Sequence, residues 1–196
     1  MLAVLEMEPD QAESGRLVRR IYEPCGRYPP FRNFAESPLL LSAVSQLLGS
    51  SDLVYHYSKV NMKPPHVDTV VDWHQDLSYY PLTNRSSVAV LLYLDDADEQ
   101  NGALRIVAHD QSLVDGMLDH NSPDGFFQGR IPSFGSPDGA DSPEGQHILE
   151  GPAGSCIFLG GLTPHASSPN RSERYRRTLI ISYRTADNFP LYLSGE

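Results

Sequence analysis

The sequence has few cysteines and no long apolar run, and each absence excludes a class of protein. Its 196 residues include two cysteines, Cys25 and Cys156, which lie far apart and outside any CxxC motif. We interpret them as reduced thiols of a cytosolic chain, although the sequence leaves a disulfide open. Apolar runs such as 87–94 are far shorter than the roughly 18 residues that a membrane-spanning helix requires.

The sequence also lacks basic runs, which argues against nucleic acid as a partner. Its 25 Asp and Glu outnumber its 15 Lys and Arg, and the formal net charge is −10. Nucleic-acid-binding surfaces normally carry clustered basic side chains. The start MLAVLEMEPD lacks the basic region and continuous apolar core of a signal peptide. We therefore expect a cytoplasmic chain without a nucleic-acid or membrane partner, and the oligomeric state stays open.

Length and composition predict one domain over residues 1–196. A chain of this length can bury roughly 70% of its unfolded surface around a single core. Residues 1–50 are predicted to be mainly helical or irregular. They include a helix over 36–48 with Ser37 as a candidate cap, Pro38 in its first turn and Gly49 at its end. Residues 110–151 are rich in Gly, Pro, Ser and Asp and predict a lid or a disordered insertion.

Six short segments are predicted to be strands. Each is rich in Val, Ile, Leu or Tyr and is bounded by Gly, Pro, Asn or Asp. They are residues 53–62, 70–77, 87–94, 102–107, 154–159 and 178–184. Because little helix separates them, the sequence indicates an antiparallel sandwich or barrel.

Two His-x-Asp pairs, His66 with Asp68 and His74 with Asp76, are candidates for a metal site. Residues i and i+2 of a strand point to the same face, so each pair can present an imidazole and a carboxylate to one point. Pro65 favours a turn for the first pair. The second pair lies in an apolar and aromatic segment that can form a strand, so it is the better candidate.

His165 is a candidate third ligand, since it follows the predicted strand 154–159 and two glycines. Two histidines and one carboxylate leave about three positions of a metal open, which suits Fe(II) that activates O2. Structural zinc prefers a fuller set of nitrogen and sulfur ligands. The remaining histidines are predicted to be surface or loop residues: His56, His109, His120 and His147.

Four segments, taken in order, resemble the phytanoyl-CoA dioxygenase family of Fe(II)- and 2-oxoglutarate-dependent oxygenases. They are NMKPP at 61–65, WHQDLSYYPL at 73–82, YLDDADEQNGALRIV at 93–107 and PHASSPNRSERYRRT at 164–178. The resemblance implies a cupin-like double-stranded β-helix, or jelly roll, flanked by N-terminal helices. It also implies that Fe(II) is bound by His74, Asp76 and His165. The implied reaction uses 2-oxoglutarate and O2 to hydroxylate a small-molecule metabolite, with release of succinate and CO2.

The resemblance implies residues that bind 2-oxoglutarate as well. The family places an arginine eleven residues after the second histidine, which is Arg176 here. A guanidinium suits a carboxylate because it makes paired charge-assisted hydrogen bonds. Arg177 is the alternative, since neighbouring residues of a strand face opposite sides. Asn61 and Ser167 match positions at which relatives bind the cosubstrate, and Tyr57 would share the strand face of Asn61.

Two further expectations concern the pocket and the N-terminus. Trp73 and Tyr80 are candidates for the pocket wall, although aromatic residues beside a buried site are more often core. Fewer residues precede the 36–48 helix than in relatives, so we expect an N-terminally short form. This leaves a noncatalytic jelly-roll protein that binds a ligand or metal as the alternative function. A zinc hydrolase with the same three ligands is a second alternative.

Overall fold

The computed structural model describes residues 5–8, 17–107, 116–120, 129–139 and 141–191. Its helices are α1 (Pro24–Arg27), α2 (Pro29–Ala35) and α3 (Pro38–Leu48), and short 3₁₀ turns lie at Asp76–Ser78 and Pro132–Phe134. Its strands are β1 (Leu5–Met7), β2 (Val18–Tyr22), β3 (Leu53–Lys63), β4 (Val71–His74), β5 (Ser87–Tyr93), β6 (Leu104–Val107), β7 (Gln146–Leu149), β8 (Cys156–Gly160), β9 (His165–Ser167) and β10 (Arg176–Thr185).

These strands form two antiparallel sheets. The larger sheet has the order β1-β2-β3-β10-β5-β8, and the smaller sheet has the order β4-β9-β6-β7. One buried apolar cluster combines side chains of both sheets: Ala89, Leu91, Leu104, Leu159 and Ile180. The predicted mainly β, jelly-roll fold with N-terminal helices is therefore confirmed.

Strand β10 lies inside the larger sheet, and most of its residues are buried on both faces. It pairs with β3 along one edge and with β5 along the other. Leu179 and Ile181 belong to a core cluster that includes Leu40 of α3. Thr178 and Ile180 project from the opposite face and line a cavity between the sheets. One strand thus contributes both to the main core and to the interior cavity.

Helix α3 begins and ends where the sequence indicates. Ser37 precedes it with an extended backbone and Pro38 occupies its first turn, but the Ser37 side chain makes no capping hydrogen bond. Gly49 ends the helix at φ 65°, in the left-handed region that glycine adopts without steric cost. The boundaries therefore come from the backbone preferences of Pro38 and Gly49.

The prediction that residues 1–50 are mainly helical or irregular was partly wrong. Leu5–Met7 and Val18–Tyr22 form an antiparallel pair of strands at one edge of the larger sheet. Strand β2 lacks an apolar alternation because Arg19 and Arg20 both bind Glu6 of β1, at 3.2 and 3.0 Å. A strand that carries an ion-pair network does not show the hydrophobic pattern from which strands are predicted.

The predicted insertion over 110–151 contains ordered structure in its described parts. Gln146–Leu149 is strand β7, which pairs with β6 in the smaller sheet. Ile131 and Phe134 are buried in one cluster with Trp73. Residues 110–115, 121–128 and 140 lie outside the described residues. The lid or disordered insertion stays a prediction for those positions.

No helix in the described part of the chain is long and apolar enough to cross a membrane.

Cys25 is buried, Cys156 is exposed, and both are free thiols. Burial raises the pKa of each thiol, so both stay protonated near neutral pH. Neither cysteine therefore has the lowered pKa of a reactive thiolate.

Adjacent leucines at the start of α3 test the packing of this helix. Leu40 is 5% exposed in the main core, whereas Leu39 is 85% exposed. We expect Leu40→Ala to lower the free energy of unfolding by about 2 to 4 kcal/mol, because it leaves a cavity in the core. Leu39→Ala should change it by less than about 0.5 kcal/mol. Urea unfolding of both variants measures the difference, and equal losses would contradict this packing.

Candidate active site

His74, Asp76 and His165 come together at one side of the interior cavity. One ligand atom from each residue lies within 4.8 Å of the other two. The Oδ1 atom of Asp76 is 3.9 Å from Nε2 of His74 and 3.7 Å from Nε2 of His165. Two imidazoles and one carboxylate that converge in this way form a donor set suited to a divalent transition metal.

Strand pairing brings the two histidines together. In the antiparallel pairing of β4 with β9, His74 lies directly opposite His165. Asp76 reaches the site differently, because β4 ends at His74 and Asp76 begins a 3₁₀ turn. The predicted strand over 70–77 is therefore wrong in its second half. The carboxylate approaches the imidazoles from the turn and not by strand alternation.

Gln75, between His74 and Asp76, holds this turn in place. Its side chain donates hydrogen bonds to the carbonyl oxygens of Gly116 (3.0 Å) and Leu162 (2.6 Å). Its Oε1 accepts one from the N–H of Leu118 at 2.8 Å. Its own N–H donates to Nε2 of His120 at 3.1 Å. Gln75 is fully buried, so these four bonds satisfy it and fix the backbone between the two ligands.

Backbone carbonyl groups orient both imidazoles. Nδ1 of His74 lies 2.8 Å from the oxygen of Asp72, and Nδ1 of His165 lies 2.9 Å from the oxygen of Thr163. Because a carbonyl oxygen only accepts hydrogen bonds, each Nδ1 carries a proton, so Nε2 is the ring nitrogen directed at the site. Burial and the neighbouring His165 lower the pKa of His74 to about 3. The imidazole of His74 is therefore neutral and available as a ligand.

The Asp76 carboxyl is ionised. Burial raises its pKa, but His165, His74, Lys59 and a hydrogen bond from the Tyr80 hydroxyl lower it by more. The ionised, buried carboxylate of Asp76 places a negative charge beside the two imidazoles. This charge favours a bound cation.

The cluster opens into a cavity of about 880 Å3 between the two sheets. The cavity is lined by the three residues that the family resemblance implied for the cosubstrate, Asn61, Ser167 and Arg176. Tyr57, which strand spacing placed on the face of Asn61, lines it as well. Tyr57 and Asn61 project from the same face of β3, as their even spacing predicts. The fold thus places these residues and the three candidate metal ligands around one space.

Arg176 points into this space, whereas Arg177 points away from it. Arg176 donates to Oγ1 of Thr178 at 2.9 Å and to the carbonyl oxygen of Gly102 at 2.7 Å. Burial lowers its pKa to about 10, so the guanidinium is still charged at neutral pH. Its Nε has no hydrogen-bond partner among the described residues. Arg177 is instead half exposed and forms paired hydrogen bonds with Asp95, at 2.9 and 2.5 Å.

The first His-x-Asp pair lies outside the site. His66 and Asp68 are exposed on the surface. Nε2 of His66 is 2.9 Å from a carboxylate oxygen of Glu173. The prediction that favoured His74 and Asp76 over this pair therefore agrees with the geometry.

Two expectations, one for Trp73 and one for His56, need correction. Trp73 is fully buried against Phe134, outside the cavity, so it does not form the pocket wall. Trp73 directly precedes His74 on β4. Adjacent residues of a strand face opposite sides, so Trp73 points away from the cavity that His74 lines. His56 was predicted to lie on the surface but lines the cavity beside Tyr80. His120 lies in a loop, as predicted, and its Nε2 accepts a hydrogen bond from the N–H of Gln75.

Lys59 and Tyr22 line the cavity too, and the sequence analysis did not predict either. Lys59 lies between Tyr57 and Asn61 at a spacing of two residues, so the strand alternation was a signal that could have found it. Tyr22 offered no such signal, because the strand that carries it was not predicted.

A model of the family described as phytanoyl-CoA dioxygenase (PhyH) matches residues 16–178 of this chain, which include every candidate ligand. The chain belongs to the phytanoyl-CoA dioxygenase family. The matched residues also include Asn61 and Arg176 of the cavity.

Individual proteins of known name are similar to this chain over much of its length. The probable alpha-ketoglutarate-dependent hypophosphite dioxygenase of Stutzerimonas stutzeri is 32% identical over 191 residues, which are 97% of this chain and 65% of that protein. The L-proline trans-4-hydroxylase of Streptomyces griseoviridis is 27% identical over 79% of this chain and 63% of that protein. This chain therefore spans less than two thirds of the length of either relative.

A solved structure with the same fold is the apo form of the non-heme monooxygenase ThoJ. It superposes with a TM-score of 0.68 at 25% sequence identity, over 83% of this chain and 57% of the ThoJ chain. The jelly-roll architecture of this family member therefore has an experimentally determined counterpart.

Substitution of each candidate ligand tests whether this member of the phytanoyl-CoA dioxygenase family binds a metal through these three residues. We expect His74→Ala, Asp76→Ala and His165→Ala each to abolish Fe(II) binding, because each removes one of three converging ligands. Fe(II) and 2-oxoglutarate are titrated together into each variant without O2, and the metal-to-ligand charge-transfer absorption is recorded.

Matched controls use the other His-x-Asp pair. His66→Ala and Asp68→Ala should bind Fe(II) as the unmodified protein does, since both residues are exposed and neither belongs to the cluster. An unchanged absorption band in His74→Ala would contradict the proposed ligand set.

Proposed function

We propose that this chain is an Fe(II)- and 2-oxoglutarate-dependent dioxygenase that hydroxylates a small-molecule metabolite and releases succinate and CO2. The observation that carries the proposal is that the His74, Asp76 and His165 cluster shares one cavity with Arg176, a buried cation. Relatives support the small-molecule substrate, since one is named a hypophosphite dioxygenase and another a proline hydroxylase.

In this proposal His74, Asp76 and His165 would hold iron, since two imidazoles and one carboxylate are a donor set that suits Fe(II). The bound iron, with 2-oxoglutarate and O2, supplies the oxidising chemistry. Asp72 and Thr163 keep both Nε2 atoms directed at the metal, because their carbonyl oxygens accept the Nδ1 protons. The two sheets enclose the site and limit the access of water.

Arg176 binds the distal carboxylate of 2-oxoglutarate in this proposal, and Asn61, Ser167 and Tyr57 contact the same molecule. A buried guanidinium without a carboxylate partner is unfavourable unless a ligand supplies the opposite charge. The amide oxygen of Asn61 is also buried and has no partner among the described residues. These unsatisfied groups fit a polar, doubly charged ligand better than an apolar one.

Substitution of the two neighbouring arginines tests this role. We expect Arg176→Ala to weaken 2-oxoglutarate binding by about 30- to 1000-fold, which corresponds to about 2 to 4 kcal/mol for the loss of a buried charged hydrogen-bond partner. Arg176→Lys should recover only part of the affinity, because an ammonium group cannot make the paired planar contact. Calorimetric titration of 2-oxoglutarate into the Mn(II)-loaded variants without O2 measures both effects.

Arg177→Ala is the matched control, because it removes the same side chain from the outward face of β10. Its effect on 2-oxoglutarate affinity should be smaller than about twofold, since an exposed ion pair contributes little. A large loss of affinity in Arg177→Ala, with Arg176→Ala unaffected, would contradict the inward position of Arg176.

Turnover separates the proposed enzyme from a noncatalytic jelly-roll protein. We expect slow formation of succinate from 2-oxoglutarate that requires both Fe(II) and O2, and that a true substrate increases. A screen of small metabolites for this increase also identifies the substrate. Binding of Fe(II) and 2-oxoglutarate without any succinate would favour the noncatalytic alternative, and activity that persists without O2 would favour a hydrolase.

A further inference from the structure

Positive charge is concentrated around the cavity, although the whole chain has a formal net charge of −10. Among the described residues, five cationic and three anionic side chains line it: Arg19, Arg20, Lys59, Lys63, Arg176, Glu6, Glu23 and Asp76. The chain contains two lysines, Lys59 and Lys63, and both belong to the part of β3 that lines this cavity. Such a local surplus of positive charge in an acidic protein favours anionic ligands.

Most of these cations already have partners. Arg19 and Arg20 share the carboxylate of Glu6, at 3.2 and 3.0 Å. Lys63 donates hydrogen bonds to two backbone carbonyl oxygens, at 2.8 and 2.6 Å. Arg176 is the residue proposed above for the distal carboxylate of 2-oxoglutarate. Lys59 is left as a cation without such a contact.

The ammonium group of Lys59 makes no hydrogen bond or ion pair with the described residues. Its Nζ lies 5.5 Å from the centroid of the Tyr57 ring, which is a weak cation–π contact. Burial lowers the pKa of Lys59, and the Asp76 carboxylate partly offsets this effect. Lys59 and the candidate ligand Asp76 line the same cavity. An ammonium group in this setting is stabilised when a ligand supplies an oxyanion.

Position along the strands separates Lys59 from the residue proposed for 2-oxoglutarate. In the pairing of β10 with β3, Arg176 lies opposite Lys63 and Ile180 lies opposite Lys59. The backbone positions of Arg176 and Lys59 are therefore four residues, or about 13 Å, apart along the strand direction. One end of 2-oxoglutarate would bind Arg176 and the other would bind the metal, which leaves no third charged group for Lys59. The charges of Fe(II) and 2-oxoglutarate cancel, so the positive surplus of the cavity would remain after both bind.

We propose that Lys59 binds the oxyanion group of the substrate, and that the substrate is a small anion with a phosphinate, phosphonate or carboxylate group. This inference rests on the proposed function, because it places the substrate between Lys59 and the metal ligands. The ammonium group donates charge-assisted hydrogen bonds to the oxyanion and so holds the rest of the molecule toward the metal.

The test measures anion binding directly and does not need turnover. Hypophosphite, methylphosphonate and acetate are titrated calorimetrically, without O2, into protein loaded with Mn(II) and 2-oxoglutarate. Acetamide is the neutral counterpart of acetate. We expect at least one of the anions to bind and acetamide not to bind. Lys59→Met should weaken anion binding by about 10- to 100-fold, because it removes a charged hydrogen bond while keeping the length of the side chain.

Two variants and one cosubstrate measurement serve as controls. Lys59→Arg should keep most of the anion affinity, since it retains the positive charge. Arg27→Met removes an exposed positive charge outside the cavity and should leave anion binding unchanged. The affinity for 2-oxoglutarate should change by less than about twofold in Lys59→Met.

Three results would overturn the inference. The first is equal anion affinity in the unmodified protein and Lys59→Met, and the second is no binding of any of the three anions to protein that binds Mn(II) and 2-oxoglutarate. The third is a loss of 2-oxoglutarate affinity in Lys59→Met with unchanged anion binding, which would show that Lys59 binds the cosubstrate and not the substrate. Failure of the unmodified protein to bind Mn(II) and 2-oxoglutarate would instead defeat the proposed function, and the same anion titration without metal would then test Lys59 alone.

Discussion

The register between β4 and β9 is the constraint on which the candidate active site depends. It sets His74 opposite His165 and brings the ring centroids to 4.1 Å from each other. A slip by one residue would turn one imidazole to the other face of the smaller sheet, where Trp73 is buried in an apolar cluster. Because these strands are short, the register needs support from outside the pairing. The hydrogen bonds of buried Gln75 provide it, and they also direct Asp76 toward the imidazoles.

The second constraint is the cost of charge inside a small β domain. The outer face of β10 packs in the main core through Leu179 and Ile181, whereas its inner face carries Arg176 and Thr178 into the cavity. A buried guanidinium is tolerated because Thr178 and Gly102 accept two of its hydrogen bonds, yet its charge has no anionic partner among the described residues. The cavity is thus prepared for anionic ligands, and the acidic exterior does not share this property.

The segments that resemble the family and the short apolar runs were enough to predict the fold class and the group of candidate ligands. Several individual elements were nevertheless predicted wrongly. Strands such as β5 were found because their apolar residues are buried on both faces. Strand β2 was missed because its polar side chains form ion pairs, and β9 was missed because it has three residues. Asp76 was chosen from a two-residue spacing that assumed a continuous strand. The choice agrees with the geometry although the assumed strand ends at His74, because a 3₁₀ turn also returns the carboxylate to the site.

Local sequence alone was sufficient for properties that depend on residue type and spacing: the mainly β composition, the limits of α3 at Pro38 and Gly49, and the preference for His74 over His66. It could not choose between Arg176 and Arg177, because both faces of β10 continue with residues suited to burial. That choice required the packing of α3 against one face and of the smaller sheet against the other. Strand alternation placed Lys59 on the same face of β3 as Tyr57 and Asn61, but the sequence alone does not show what covers that face. The cavity beside Lys59 exists only because the rest of the chain encloses it.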